Sequence, residues 1–209
     1  MIAILDYGMG NLGSVRKALE RVSEGTTEIV VTSDPTVVRR ADKLLLPGVG
    51  AFRDAMEELR THRLVEPVRE AVSDGRPFLG ICLGLQMLFR HSYEGVDGTE
   101  SPLEGLGIIP GEVVRFQRSG EFPVPHIGWN QVQKVAPNPL LEGIPDQTFF
   151  YFVHSFYVVP EDLSVVAAET DYGGRFCSMI RRGNLFACQF HPEKSQNAGL
   201  SLLRNFVQM

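Results

Sequence analysis

Cysteine is scarce, with three in 209 residues, at positions 82, 177 and 188. Three widely separated thiols cannot form a disulfide scaffold, so free cysteines are expected. An excess of basic charge is also missing. Twenty Lys and Arg stand against 25 Asp and Glu, a formal charge of -5, the reverse of what a phosphate-neutralising protein needs, so no nucleic-acid partner is expected. Long apolar runs are missing too. The longest uncharged stretches, 77–89 and 148–160, fall short of the roughly 18 residues that a membrane span needs, and no membrane partner is expected. Met1-Ile-Ala-Ile-Leu-Asp6 has no basic n-region and reaches an acid at position 6, which is not a secretory signal; a cytoplasmic location is expected. Repeats, low-complexity segments and a Pro/Ser-rich linker are absent, so residues 1–209 read as one domain.

What is present in the first ninety residues is alternation. Short apolar runs at Ile2 to Leu5, Glu28 to Thr32, Lys43 to Leu46 and Pro77 to Ile81 read as strands. Between them lie helical patterns: Leu12, Val15, Leu19 and Val22 on one face, then segments near Phe52–Arg60 and Leu64–Val72. Leu83 to His91 is also read as a helix. Strands joined by helices imply a parallel sheet covered on both faces. The second half reads as strands: Gly111–Phe116, Val124–Val135, Thr148–Val159, Ser164–Glu169, Phe176–Ile180 and Leu185–Phe190. A last helix, Ser195 to Gln208, carries Ala198, Leu202, Leu203 and Phe206 on one side. The fold class expected is α/β, a single domain with a mixed, mostly parallel sheet and helices on both faces.

Gly8-Met9-Gly10-Asn11-Leu12-Gly13 matches the dinucleotide fingerprint G-x-G-x-x-G, and Asp34 follows about 20 residues on, where a ribose-binding acid would sit. That supports a rival reading as a nicotinamide-dependent oxidoreductase. No tyrosine has a lysine four residues later, however, and the chain is short for a nucleotide half plus a substrate half. A tight strand-to-helix turn that uses glycines for close packing ranks above it.

Gly80-Ile81-Cys82-Leu83-Gly84 is the most informative stretch. Between a buried strand and a helix it forms a G-x-C-x-G nucleophile elbow, a turn so sharp that positions two before and two after the nucleophile have little room for a Cβ. Cys82 would project beyond the strand at a helix N-terminus, where the dipole favours a thiolate. Cys188 shares a strand face with Phe186 and Phe190, and Cys177 occupies an ordinary strand position, so both read as packing residues. His191 falls on the opposite face from Cys188, which argues against a C-x-x-H metal pair.

A thiol nucleophile needs an imidazole, and the imidazole needs an orienting group. His62 lies in a polar loop and His91 is expected to close the elbow helix, while His126 and His154 stay open. His191-Pro192-Glu193 is the strongest candidate. Proline favours extended backbone before it, and side chains two apart on such a segment point the same way, so Glu193 can support His191. A Cys82–His191–Glu193 triad follows.

With these blocks in place the chain resembles a class I (triad-type) glutamine amidotransferase. Gly-Ile-Cys-Leu-Gly-Leu-Gln at 80–86 and His-Pro-Glu at 191–193 carry the general likeness. A narrower likeness, to the branch that provides the glutaminase subunit of imidazole glycerol phosphate synthase, rests on Asp6 to Asn11, Pro47 to Gly50, Pro125 to Asn130, Phe152 to Ser155 and His191 to Gln196. The resemblance implies that Cys82 attacks the side-chain amide of L-glutamine, that His191 moves protons, and that Glu193 holds His191. It implies an oxyanion hole from Leu83 together with Gly48 and Val49, and substrate contacts from Gly50, Gln86, Ser155 and Phe156. It also implies a cyclase subunit as partner in a heterodimer, with Asn11, His126, Trp129 and Asn130 at the interface. No cofactor and no metal is implied. Subunits of anthranilate or pyridoxal phosphate synthases are the alternatives inside the family. Without the resemblance, Trp129 would be read as a core residue in a β-turn.

Overall fold

Period-two alternation on short strands requires an apolar core on each side of the sheet. The computed structural model describes residues 1–96, 101–117 and 120–209. Its strands are β1 (Ile2–Leu5), β2 (Ile29–Thr32), β3 (Lys43–Gly48), β4 (Phe78–Cys82), β5 (Phe89–Ser92), β6 (Leu103–Glu104), β7 (Ile109–Arg115), β8 (His126–Lys134), β9 (Thr148–His154), β10 (Phe156–Pro160), β11 (Val166–Asp171), β12 (Arg175–Arg182) and β13 (Leu185–Cys188). Its helices are α1 (Leu12–Ser23), α2 (Pro35–Arg40), α3 (Phe52–Thr61), α4 (Val65–Ser73), α5 (Leu83–Gln86) and α6 (Gln196–Gln208).

The main sheet runs β2-β1-β3-β4-β13-β12-β10-β7-β5-β6. From β2 to β13 every neighbour is parallel; β12 then pairs antiparallel with β13, and β11, β8 and β9 branch from β12 as an antiparallel layer. The mixed α/β architecture is the one expected. Ala3 and Leu5 face a core shared with Val38, Leu59 and Val68 of α2, α3 and α4. Ile2 and Ile4 face the other way, onto Leu19 of α1 and Leu202 and Phe206 of α6. Among the described residues no helix is long and apolar enough to cross a membrane.

Four local expectations need correction. The helix expected over Leu83 to His91 lasts one turn, and Phe89–Ser92 is a strand. The Leu88 carbonyl, which a longer helix would have offered to residue 92, instead accepts from the N–H groups of Ile108 (2.9 Å) and Ile109 (2.9 Å), while that of Met87 accepts from Leu106 (2.8 Å). His91 therefore lies in β5 and caps no helix. The single strand expected over Thr148 to Val159 breaks at Ser155 into β9 and β10. The strand expected from Ser164 starts at Val166, after a 3₁₀ turn over Leu163–Val165 that Asp162 caps. Helix α2 was not anticipated, because six residues show too little periodicity to read.

Asp34 has a local task. Its side chain accepts from the Thr36 N–H at 2.7 Å as the N-cap of α2. Gly8 and Gly10 adopt left-handed φ values of 82° and 125°, as a tight turn demands. A Cβ at Gly13 would meet nothing within 4 Å, so the third glycine does not provide the close helix–strand approach of a dinucleotide fold.

Candidate active site

β3 and β4 end side by side, with Gly48 in register with Cys82, and β13 leads to His191 on the other flank of β4. The carboxyl ends of three adjacent parallel strands thus meet at one place, where open α/β sheets form ligand sites.

Cys82 adopts φ 56° and ψ -109°, a conformation that costs a non-glycine residue roughly 1–3 kcal/mol. The glycines around it are required by contact. A Cβ on Gly84 would stand 2.0 Å from the Leu46 carbonyl oxygen, and one on Gly80 would stand 2.9 Å from the Gly84 oxygen. The elbow is as tight as the G-x-C-x-G pattern implies. Because α5 is one turn long, its dipole contributes less than a full helix would.

The His-Pro-Glu segment is a 3₁₀ turn over Pro192–Lys194 and not an extended strand. It still joins the two side chains, His191 Nδ1 to Glu193 Oε1, at 2.8 Å. His191 is 1% exposed. Its backbone is fixed by its own N–H donating to the Tyr151 carbonyl at 2.9 Å and by the Ser195 hydroxyl donating to its carbonyl at 2.6 Å. α6 presses directly on this turn, since a Cβ on Gly199 would fall 1.8 Å from the Pro192 oxygen. Nε2 of His191 is buried and makes no hydrogen bond of normal geometry among the described residues, and it stands within the field of the Cys82 sulfur. Burial works against the imidazolium. Its interactions with Cys82 and Glu193 outweigh it and push the His191 pKa up to about 10.

In front of Cys82 lies a cavity of about 430 Å³. Val49, Gly50, Leu83, Gln86, Ser155 and Phe156 line it, and Gly48 lies behind them as the register partner of Cys82. Gln86 donates from Nε2 to the Phe156 carbonyl at 3.0 Å and to Gln189 Oε1 at 3.1 Å. Gln189 Nε2 in turn approaches Cys82 Sγ at 3.6 Å.

Three residues at the site were given no role from sequence. Gln189 could have been given one, since alternation puts it on the same side of its strand as His191. Glu94 and Lys194 also line the cavity. Glu94 accepts from the Phe52 N–H at 2.8 Å, and burial raises its pKa; no local pattern marks it. Cys188 is fully buried with Phe186 and Phe190 as expected, and burial holds its thiol and that of Cys177 protonated, the latter pushed up to about 12.

The remaining expected positions divide between surface and interior. Asn11 is partly exposed at the start of α1. Trp129 is 46% exposed, so it is not a core residue. It stands on the outer face of β8 with Ile127, beside Tyr151 and Phe149 of β9. Asn130 is half-buried. His126 points inward, 3% exposed.

The glutamine amidotransferase class-I family model matches residues 3–209. This chain belongs to that family. Among curated amidotransferase relatives, imidazole glycerol phosphate synthase subunit HisH of Syntrophotalea carbinolica is 55% identical over 214 residues, covering 100% of both chains. The subunit of the same name from Rhodopirellula baltica is 53% identical, covering 99% of this chain and 97% of that one. Solved structures with the same fold include PurLQS from Thermotoga maritima (TM-score 0.70, 16% identity, 99% of this chain and 97% of that one). The glutaminase domain of Trypanosoma brucei CTPS, with acivicin bound, gives a TM-score of 0.68 at 16% identity, covering 99% and 93%.

Proposed function

We propose that this amidotransferase is the glutaminase subunit of a two-subunit imidazole glycerol phosphate synthase. It hydrolyses L-glutamine to glutamate and ammonia, which a cyclase subunit consumes in histidine biosynthesis in the cytoplasm. The observation that carries the chemistry is the strained Cys82 elbow at the cavity, backed by the hydrogen-bonded His191–Glu193 pair. The narrower assignment draws on full-length relatives at about half identity that bear the synthase subunit's name.

In this reading His191 takes the Cys82 thiol proton. The Cys82 thiolate attacks the side-chain amide carbon of glutamine, and the tetrahedral oxyanion is met by backbone N–H groups. Leu83 N–H is one donor, since the first amides of a helix have no intrahelical acceptor. The turn from Gly48 to Val49 provides the other, and Gly50, with φ 100°, gives that turn its freedom to reorient. The His191 imidazolium protonates the departing nitrogen, ammonia leaves, and a γ-glutamyl thioester remains. Neutral His191 then takes a proton from water, which attacks the thioester; glutamate leaves and the ion pair returns. Glu193 fixes the ring with Nε2 toward the sulfur.

At the far end of the cavity the glutamine α-ammonium needs an anion, and Glu94 is the carboxylate lining it. Gln86, Ser155 and Phe156 complete that wall. The cyclase partner docks on the outer face of β8 and β9, which exposes Trp129, Ile127 and Phe149; Asn11 and Asn130 are carried into the interface by the resemblance alone. Apolar exposure on this scale is a common mark of a docking surface.

The test is glutamate release from glutamine, measured for the chain alone and with the cyclase subunit and its ribonucleotide ligand. Low activity alone and strong stimulation by that subunit are expected. Cys82→Ala should remove activity by at least about 10³-fold with the fold retained. Stimulation only by another synthase's subunit would overturn the assignment, and an active Cys82→Ala protein would overturn the mechanism.

A further inference from the structure

Two buried histidines take no part in the chemistry above. β8 and β9 pair with His126 opposite His154. The two rings pack among Phe116, Phe152 and Tyr172, with His126 stacked on Tyr172 at 3.9 Å and on Phe152 at 4.9 Å. Their hydrogen bonds admit a single assignment of protons. The Phe156 carbonyl can only accept, so His154 Nδ1, 2.8 Å away, carries a hydrogen. Burial lowers the His154 pKa to about 3 and that of His126 to about 4, so both rings are neutral near pH 7. His154 Nε2 is then an acceptor, and His126 Nδ1, at 2.9 Å, must donate to it. That leaves His126 Nε2 as an acceptor facing the Asn130 side-chain amide at 3.3 Å. The Asn130 NH₂ group also donates to the Asp171 carbonyl at 2.9 Å, and its oxygen accepts from the Gln131 N–H at 2.8 Å.

The series continues into the cavity. The Phe156 carbonyl that receives the His154 proton also accepts from Gln86 Nε2, and the second Nε2 hydrogen goes to Gln189. Both Gln86 hydrogens are therefore used, and its Oε1 is the amide atom left for a substrate cation. From Asp171 to Gln86 each donor meets an acceptor.

We propose that His126 and His154 are positioning residues for glutamine binding: locked in one tautomer each, they hold the Phe156 carbonyl, which sets the Gln86 amide with its oxygen available to the substrate α-ammonium. This rests on the glutaminase reading above. Removing the His126 donor leaves His154 Nε2 buried and unpaired, and the ring is released to turn away from Phe156.

Steady-state glutaminase kinetics of the full chain with its cyclase partner test this. His126→Phe keeps the aromatic packing and deletes the donor; KM for glutamine should rise about tenfold with kcat within about twofold. His126→Asn, whose amide N–H can occupy the place of Nδ1–H, should bring KM back to within about threefold of wild type. Long-range ¹H–¹⁵N spectra of the unmodified chain supply a readout that does not depend on activity: both rings should be protonated on Nδ1 alone at pH 7. A His154 protonated on Nε2, or a folded His126→Phe protein with unchanged KM, would overturn the inference. A wild-type chain inactive with its partner would overturn the glutaminase reading instead.

Discussion

Cys82 holds a backbone conformation that only glycine adopts without strain, and it holds it because its neighbours leave no alternative. Gly48 lies against it in β3, Gly80 and Gly84 are pressed on backbone or side-chain atoms, and Leu46 closes the turn. Strain of this kind is removable in a diagnostic way. Glycine ordinarily costs about 0.5–1 kcal/mol relative to alanine, yet Cys82→Gly should be more stable than Cys82→Ala, by about 1 kcal/mol in urea unfolding. Equal or lower stability would mean the elbow is unstrained. His191 carries a second residue-level consequence. Burial opposes its charge, but interactions with Cys82 and Glu193 raise its pKa to about 10. Its proton therefore stabilises the native state fully below the ordinary value near 6.5, and that contribution is lost as pH climbs through 10. Denaturation midpoints should fall between pH 7 and 10, and Cys82→Ala should flatten the slope. The Cys82 elbow and the His191–Glu193 pair were legible because a cysteine framed by two glycines at a strand end, and a histidine two positions from a glutamate, are combinations that packing alone seldom requires. Glu94 was not legible, because its place at the cavity depends on reaching across to the Phe52 amide from a different element.

At the scale of elements, β3 and the elbow act as one piece. A methyl at position 84 would stand 2.0 Å from the Leu46 oxygen, and neither backbone can move without breaking the parallel ladder between β3 and β4. Gly84→Ala should cost more than about 4 kcal/mol or prevent folding, seen as loss of a cooperative thermal transition; a mild effect would mean the turn is slack. Strand and helix alternation over the first eighty residues was readable from period and composition. The helix expected beyond Gln86 failed for a reason no local pattern contains, since amides some twenty residues later in the chain take the Met87 and Leu88 carbonyls. The same holds for the His126–His154 pair. Each histidine looked isolated in sequence, and only the register of β8 against β9 brings them together.

At the scale of the molecule, the outer face of β8 and β9 stands out. Ile127 is 60% exposed and Phe149 51%, and Trp129 lies between them. A central exposed Trp is the kind of side chain that dominates an interface. Trp129→Ala should weaken cyclase binding by about 2 kcal/mol or more in calorimetry, with little change in the melting temperature of the free chain; unaltered affinity would move the interface elsewhere. Sequence placed the Trp in a motif, but whether it faced core or solvent depended on which side of β8 the antiparallel layer covers.

The position of β13 has an effect on how the protein comes into being. The segment Leu185–Cys188, far from β4 in the chain, is inserted between β4 and β12 near the centre of the sheet, and α6 then clamps the turn that bears His191. Until β13 and the turn after it are in place, β4 and β12 have no strand to join them and Cys82 lacks the base proposed for it. In the proposed mechanism a chain that has not yet placed β13 is unable to hydrolyse glutamine. The long-range closure that completes the fold is also the slow kind, so folding and the onset of chemistry should coincide in a single late event.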